Sequence, residues 1–260
     1  MHKTEPPLFM HHGKESIMDH IETAEYLVRF LDFNNKDELR EVQRLRYEYL
    51  LQDFDEKKND SEGLDDDGYD VFSESLVAVE KKTGRIVGTY RLATDATLKG
   101  GVFKCEEEFD ISALRKDPGG IVEAGRAVIH KDYRGGIVFS LLWKGVITYA
   151  RDLGLRFIIG TCSLHGADPS VYENCTSYLN EKHLCSRFEV RAAHDSFEYG
   201  TRKGLSAAEA GLPGLLKAYL KIGATVSQNG FIDWDFNCCD VMIILDRENM
   251  NERFLRRFAG

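Results

Sequence analysis

The run from Ile121 to Cys162 restricts the fold more than any other part of the chain. IVEAGRAVI alternates large apolar with small or polar residues, as a half-buried strand does, and HKDYRGG breaks it. IVFSLLWKGVITYARDLG then resumes with helical periodicity, and LRFIIGTC follows as a short, almost wholly apolar run of the kind covered on both faces of a sheet. Strand, glycine-rich turn, helix, strand is a βαβ unit with its crossover.

The flanking segments extend this unit into an α/β layer fold with a mixed sheet. Residues 36–52 put Leu39, Val42, Leu45, Tyr49 and Leu50 on one helical stripe, and Asn35 followed by Glu38 resembles a capping box. SLVAVE and RIVGTYRL are β-like runs joined by KKTG, whose glycine supplies the positive φ of a tight hairpin. Between helix and hairpin lies KKNDSEGLDDDGYD, an acidic loop too polar to pack as a core element. EEEFDISALRK reads as a helix ended by DPGG. Later elements are expected as helices over 168–182 and 205–222, the latter with Pro213 in its path, then a strand at DVMIILD and a last amphipathic helix, RENMNERFLRRF. One core domain over 31–260 is expected, its core spanning 36–165 and a C-terminal elaboration 166–260, behind an N-terminal arm over 1–30 whose His2, His11, His12 and His20 are solvated.

Charge and cysteine usage bound the function. The net charge of −9, from 34 basic and 43 acidic side chains, argues against general nucleic-acid binding, which needs dense Lys and Arg to displace counterions. The first twenty residues lack the apolar stretch of a signal peptide, and no run of about eighteen apolar residues occurs, so a cytoplasmic protein is expected. The six cysteines show no C-x-x-C pairing and sit among core-like residues, as reduced thiols do. No metal site is expected: an EF-hand frame ending on Glu74 would put Gly63 where the first carboxylate ligand belongs. G-x-S-x-G, Walker A, G-x-G-x-x-G and H-E-x-x-H are all absent.

A few charges remain as candidates for chemistry. Tyr133 to Gly136, YRGG, set free backbone N–H groups and a helix N-terminus where an anion could sit, and Arg134 adds a fixed cation beside Gly135 and Gly136. Glu123 and Arg126 lie three apart in a strand and point to opposite faces unless a bulge or splay intervenes; buried, such charges serve ion pairing or catalysis. Arg91, ending the TYRL strand, has the same two readings.

RLRYEYL, DDDGYD, IVGTYRL, EAGRAVIHKDYRGG and LLWKG occur in an order that resembles the bacterial N-acyltransferases making ornithine lipids and related N-acyl amino acids, which belong to the GNAT superfamily and are similar to the acyl-homoserine-lactone synthases. The likeness spans residues 40–165, with echoes in LPGLLKAYLKIGA and DFNCCDVMIIL. It implies a GNAT-like α/β fold, a mixed, mostly antiparallel twisted sheet flanked by helices. It implies Glu123 and Arg126 as catalytic, and Arg46, Asp67, Asp70, Arg91 and Phe103 as substrate-binding. It also implies Ala127, Val128 and Ile129, with Arg134, Gly135 and Gly136, as oxyanion or donor-binding. No tightly bound cofactor is implied; the donor is an acyl thioester, a 3-hydroxy-fatty acyl chain on acyl carrier protein or else acyl-CoA, and the acceptor the α-amine of an amino acid such as ornithine or glycine. Ile137 and Phe139 stand where the superfamily's pyrophosphate cradle needs small residues, which favours the protein-borne pantetheine, its acidic carrier docking on Lys131, Arg134, Lys144, Arg151 and Arg156. Peripheral membrane contact through the lipid product follows, while the hemolysin label of some relatives is set aside for want of an insertion segment. An acetyl-CoA-dependent N-acetyltransferase and a non-catalytic acyl-binding module are the competing readings.

Overall fold

The computed structural model describes residues 18–51 and 62–251. The arm expected over 1–30 gives way to paired strands from Ile21 onward: β1 (Ile21–Glu22) and β2 (Tyr26–Phe30) already belong to the sheet. Next, α1 (Lys36–Arg46) starts at Asn35, whose side chain accepts the N–H of Glu38 at 3.2 Å. The Glu38 carboxylate turns back to Arg29 and the Asp32 N–H instead of closing a capping box. A π-helical turn, Tyr47–Leu51, ends the helix.

The predicted hairpin is β3 (Glu74–Glu80) and β4 (Ile86–Thr94), antiparallel, with Gly84 at φ +73°. After α2 (Asp95–Leu98), the segment expected as one helix breaks into a 3-10 turn at Lys104–Glu107, β5 (Phe109–Asp110) and α3 (Ser112–Arg115). Phe109 and Asp110 pair instead with Ala192 and Arg191, a tertiary contact that overrides the local helical pattern.

The βαβ unit is present as β6 (Ile121–Ile129), α4 (Val138–Asp152) and β7 (Phe157–His165), with β6 and β7 parallel. The chain continues through α5 (Glu173–Lys182), β8 (Arg191–Ala192), β9 (Ser196–Phe197), α6 (Gly214–Ile222), β10 (Thr225–Val226), β11 (Gly230–Asp233) and β12 (Cys238–Asp246). The helix expected from residue 205 starts only at Gly214, because Pro213 sits at its N-cap. Of the expected last helix, Arg247–Asn249 form a 3-10 turn, and residues 252 onward lie outside the described part.

The main sheet has ten strands, ordered β1-β2-β3-β4-β6-β7-β12-β11-β9, with β10 on β12. Every pairing in it is antiparallel except β6 with β7. β12 pairs along all nine residues of β7, so the C-terminal part completes the sheet instead of decorating it. On one face α4 and α6 cover Leu76, Tyr90, Leu92, Val122, Cys162 and Val241, where Trp143, Tyr90 and Tyr219 share buried hydrogen bonds. α1 and the 99–115 segment cover the other face, over Val77, Ala93, Ile121, Ile159 and Met242. All six cysteines are buried free thiols.

Candidate active site

β6 supplies the centre of the site by departing from regular pleating. It pairs Thr89 with Val128 but Arg91 with Gly125, so three steps on β6 match two on β4. The extra residue makes a bulge opposite Tyr90, and Arg126 takes the left-handed φ of +47° there. Such a backbone costs a non-glycine residue roughly 1–2 kcal/mol. It also meets the condition set by the sequence: Glu123 and Arg126 now border the same cavity.

Arg126 enters a closed ring of alternating charges. Arg46 holds Asp70 through two hydrogen bonds of 2.8 and 2.6 Å; Asp70 lies 3.5 Å from Arg91; Arg91 holds Asp67 through bonds of 2.7 and 2.9 Å. Asp67 reaches Arg126 at 3.2 Å, and Asp65 Oδ2 closes the ring, 3.0 Å from Arg126 Nε and 3.1 Å from Arg46 Nε. The last two contacts have ionic distance without hydrogen-bond alignment. Burial alone would raise Asp67 and Asp70, yet the neighbouring guanidiniums outweigh it and hold both carboxyls below the usual range. The acidic loop is therefore not a solvated stretch over these residues: Asp65 and Asp70 are buried, pinned by arginines from α1, β4 and β6.

Glu123 is 6% exposed, and its two oxygens accept the N–H groups of Lys104 and Cys105 at 2.9 and 2.7 Å. Burial raises its carboxyl above the ordinary value; those two donors and the Arg91 charge hold the rise back. A cavity of about 480 Å³ opens beside it, bordered also by Tyr69, Arg91, Gly125, Arg126, Thr161, Glu108 and Asp233. Arg46 is fully buried, and neither it nor Asp70 nor Phe103 borders this cavity. These three sit behind it: Arg46 and Asp70 in the ring, Phe103 in the core beneath Arg115.

Beyond Glu123 the two parallel strands part. β6 and β7 pair only at Ile121–Phe157, Val122–Ile158 and Glu123–Ile159, although each runs nine residues. His130 donates its N–H to Val87, so alternation along β6 turns the Ile129 N–H the other way, toward the gap β7 has left. Val128, paired with Thr89, faces β4, and Ala127 lies at the bulge. The following turn has Gly135 at φ +78°, then Gly136 and the start of α4. Arg134 bonds the carbonyls of Ile129 and Tyr49 at 3.1 and 3.4 Å, tying the turn to the end of the strand.

Asp65, Tyr69, Thr161, Glu108 and Asp233 were not singled out by the sequence as site residues. Asp65 had a signal, its place beside Asp67; the others come from separate segments with no motif of their own.

The chain matches the family model described as an acetyltransferase (GNAT) domain over residues 45–144. A CoA-dependent acyl-homoserine lactone synthase, BjaI, solved with MTA, shares the fold at a TM-score of 0.51 and 14% identity, 90% of each chain being covered. Fold and family model together define a GNAT-fold protein. The chain is 30% identical over 244 residues to the L-ornithine N(alpha)-acyltransferase of Rhodobacter capsulatus, covering 86% of itself and 93% of that enzyme. It is 26% identical over 272 residues to the enzyme of the same name from Brucella abortus, covering 97% and 95%. It belongs to the L-ornithine N(alpha)-acyltransferase family.

Proposed function

We propose that the enzyme transfers a 3-hydroxy-fatty acyl group from acyl carrier protein to the α-amine of an amino acid, ornithine first among the candidates, in the synthesis of amino-acid-containing lipids. The observation that carries this reading is the place of Glu123: buried, raised in pKa, bordering a polar cavity, at the point where β6 and β7 separate. The acceptor sits in the cavity and the thioester carbonyl enters through the gap.

Amide formation needs a neutral amine, and amino groups are mostly protonated at neutral pH, so a base must take a proton. Glu123 takes it, directly or through one water, and its raised pKa makes it the stronger base. The tetrahedral oxyanion is held by backbone N–H groups at the end of β6, with Ile129 the donor turned to the gap. Arg126 and Arg91, the ring members bordering the cavity, meet the acceptor carboxylate; Arg46, Asp65, Asp67 and Asp70 hold them in position.

Carrier protein is favoured over coenzyme A as donor by the first turn of α4. Ile137 is exposed at its cap, and Phe139 packs on Trp143 and Tyr219, where a pyrophosphate cradle calls for small residues. The docking patch shrinks from the expected set, because Arg156 is neutralised by Asp246 and Glu248 beyond the far end of α4, a helix about 22 Å long. Lys131 and Arg134 at its near end, with Lys144 and Arg151 along it, are the remaining contacts. No helix of the described residues is long and apolar enough to cross a membrane; contact with a bilayer comes through the acylated product.

The test is transfer by purified enzyme from 3-hydroxyacyl carrier protein, long-chain acyl-CoA and acetyl-CoA to ornithine and glycine, read by mass spectrometry. The reading predicts an Nα-acyl product from the carrier-bound donor. Efficient use of acetyl-CoA would replace it with an ordinary acetyltransferase, and carrier binding without any turnover with a non-catalytic module.

A further inference from the structure

The cavity lining carries a second group of charges, opposite in character to the arginines of the ring. Glu108 and Asp233 border it, and Asp240 of β12 stands behind them, 3% exposed. β11 pairs with β12 so that Asp233 lies opposite Cys238 and Phe231 opposite Asp240, which puts Asp233, Cys238 and Asp240 on one sheet face. Their ligand atoms lie within 4.8 Å of one another. Asp233 is occupied in part by the N–H groups of Asp235 and Phe236, both at 2.9 Å, and the Cys238 thiol donates to Asp240 Oδ2 at 3.3 Å.

Two acceptors in this group are left over. Asp240 Oδ1 and Glu108 Oε2 are buried atoms without an aligned hydrogen bond, although the Ser163 hydroxyl, opposite Asp240 on β7, partly offsets the burial of that carboxyl. The contrast with the ring is sharp, since each of its aspartates has a guanidinium on either side. Here Lys104, the lysine of the lining, is paired with Glu107, and its charge only partly offsets the rise of Glu108. Burial, and then the charges of Asp240 and Asp233, push the Glu108 carboxyl well up, while burial pushes Asp240 up to about 6. One buried and two half-buried carboxylates close together, with spare lone pairs, call for a cation.

The donor set separates an ammonium from a metal. Cys238 is a protonated thiol giving its hydrogen to Asp240, and burial raises it further from ionisation. Zinc would need it as thiolate within a tetrahedral set, and calcium six or more oxygens. An ammonium donates N–H bonds to the two carboxylates that border the cavity, gains from the Asp240 charge behind them, and needs no ionised thiol.

We propose that Glu108 and Asp233, with the Asp240 carboxylate behind them adding its charge, bind the side-chain ammonium of a diamino acid acceptor. The assignment rests on the acyltransfer reading, and it explains regiochemistry: with the distal amine held here, the α-amine is the one presented to Glu123. Amino acids without a second amine leave these carboxylates unpaired and are poor acceptors.

The probes are ornithine and norvaline, which share the carbon skeleton and differ in the distal amine, tested on wild type, Asp240→Asn and Glu108→Gln. Binding is read by thermal shift, which needs no turnover, and transfer by kcat/KM with tandem mass spectrometry of the product. Wild type should prefer ornithine about 100-fold or more and acylate its α-amine, and each variant should lower that preference at least 10-fold, chiefly through KM. An unchanged preference in two folded variants overturns the assignment, as does a shift equally large with norvaline. So does a divalent metal that binds wild type, is lost in Asp240→Asn and is required for transfer. An ornithine-specific shift lost in the variants, with no transfer to any acceptor, would support the assignment while removing the acyltransfer reading.

Discussion

Glu123 and Arg126 border one cavity although three positions separate them on a strand, because β6 bulges at Arg126 and gives it a φ of +47°. The strain and the charge of Arg126 can be tested apart. Glycine accepts this backbone and alanine does not, so Arg126→Gly should be more stable than Arg126→Ala by about 1 kcal/mol, reversing the usual order in a strand. Both should lose turnover, as the cavity then keeps only one, Arg91, of the two guanidiniums that border it. Thermal melts of the pair check the first statement; a more stable alanine variant would mean that the bulge does not need the left-handed residue.

The ring predicts an asymmetry between its inner and outer members. Arg46 is buried and bonds Asp65 and Asp70, so Arg46→Met strands two carboxylates in the core and should cost about 3–5 kcal/mol in urea unfolding. Arg126, whose side chain is 14% exposed, should cost less on truncation because water reaches the carboxylates left behind.

Strand separation depends on Gly160. A Cβ there would stand 2.5 Å from the Ala124 carbonyl oxygen, one step past the last β6–β7 pair. Gly160→Val should push β6 aside, lower stability by about 1–3 kcal/mol and reduce transfer more than 10-fold; a variant with wild-type rates would show that the contact does not shape the gap.

Stability should depend on pH through the acidic group at the cavity. Asp240 titrates near 3.9 unfolded and at about 6 folded, so the folded state binds its proton more tightly. The stability it contributes is complete below about pH 4 and is lost as pH rises through about 6, and Glu108 acts in the same sense. Asp67 and Asp70, held low by arginine, have the opposite sign, and their contribution is lost only in more acidic solution. The Tm difference between wild type and Asp240→Asn should therefore shift in favour of wild type between pH 7.5 and 5; a constant difference would show that Asp240 is ionised throughout.

The parts of the fold set by local pattern could be read in advance. The βαβ unit and the β3–β4 hairpin follow from periodicity and from Gly84, and both stand within three residues of the expected limits. Where a distant partner decides, the reading failed: Phe109 and Asp110 look helical but pair with β8, and YLVRF, placed in an arm, is a strand because β3 lies beside it. The site divides in the same way. Resemblance brought Arg46, Asp67, Asp70, Arg91, Glu123 and Arg126 together, and the ring contains all but Glu123, though composition alone left the acidic loop in solvent. Glu108, Asp233 and Asp240 went unnoticed because Glu108 lies far along the chain from the β11–β12 hairpin that supplies the other two, and DFNCCD reads as ordinary core.

The central claim is that Glu123 removes the proton from the attacking amine, and single-turnover transfer by Glu123→Gln tests it most directly. The glutamine keeps the shape and at least one of the bonds to Lys104 and Cys105, so melting and circular dichroism should show a folded protein. The account predicts a rate about 10²-fold lower or worse, with the acid limb of the wild-type pH profile flattened. A folded variant that transfers the acyl group at close to the wild-type rate would contradict it.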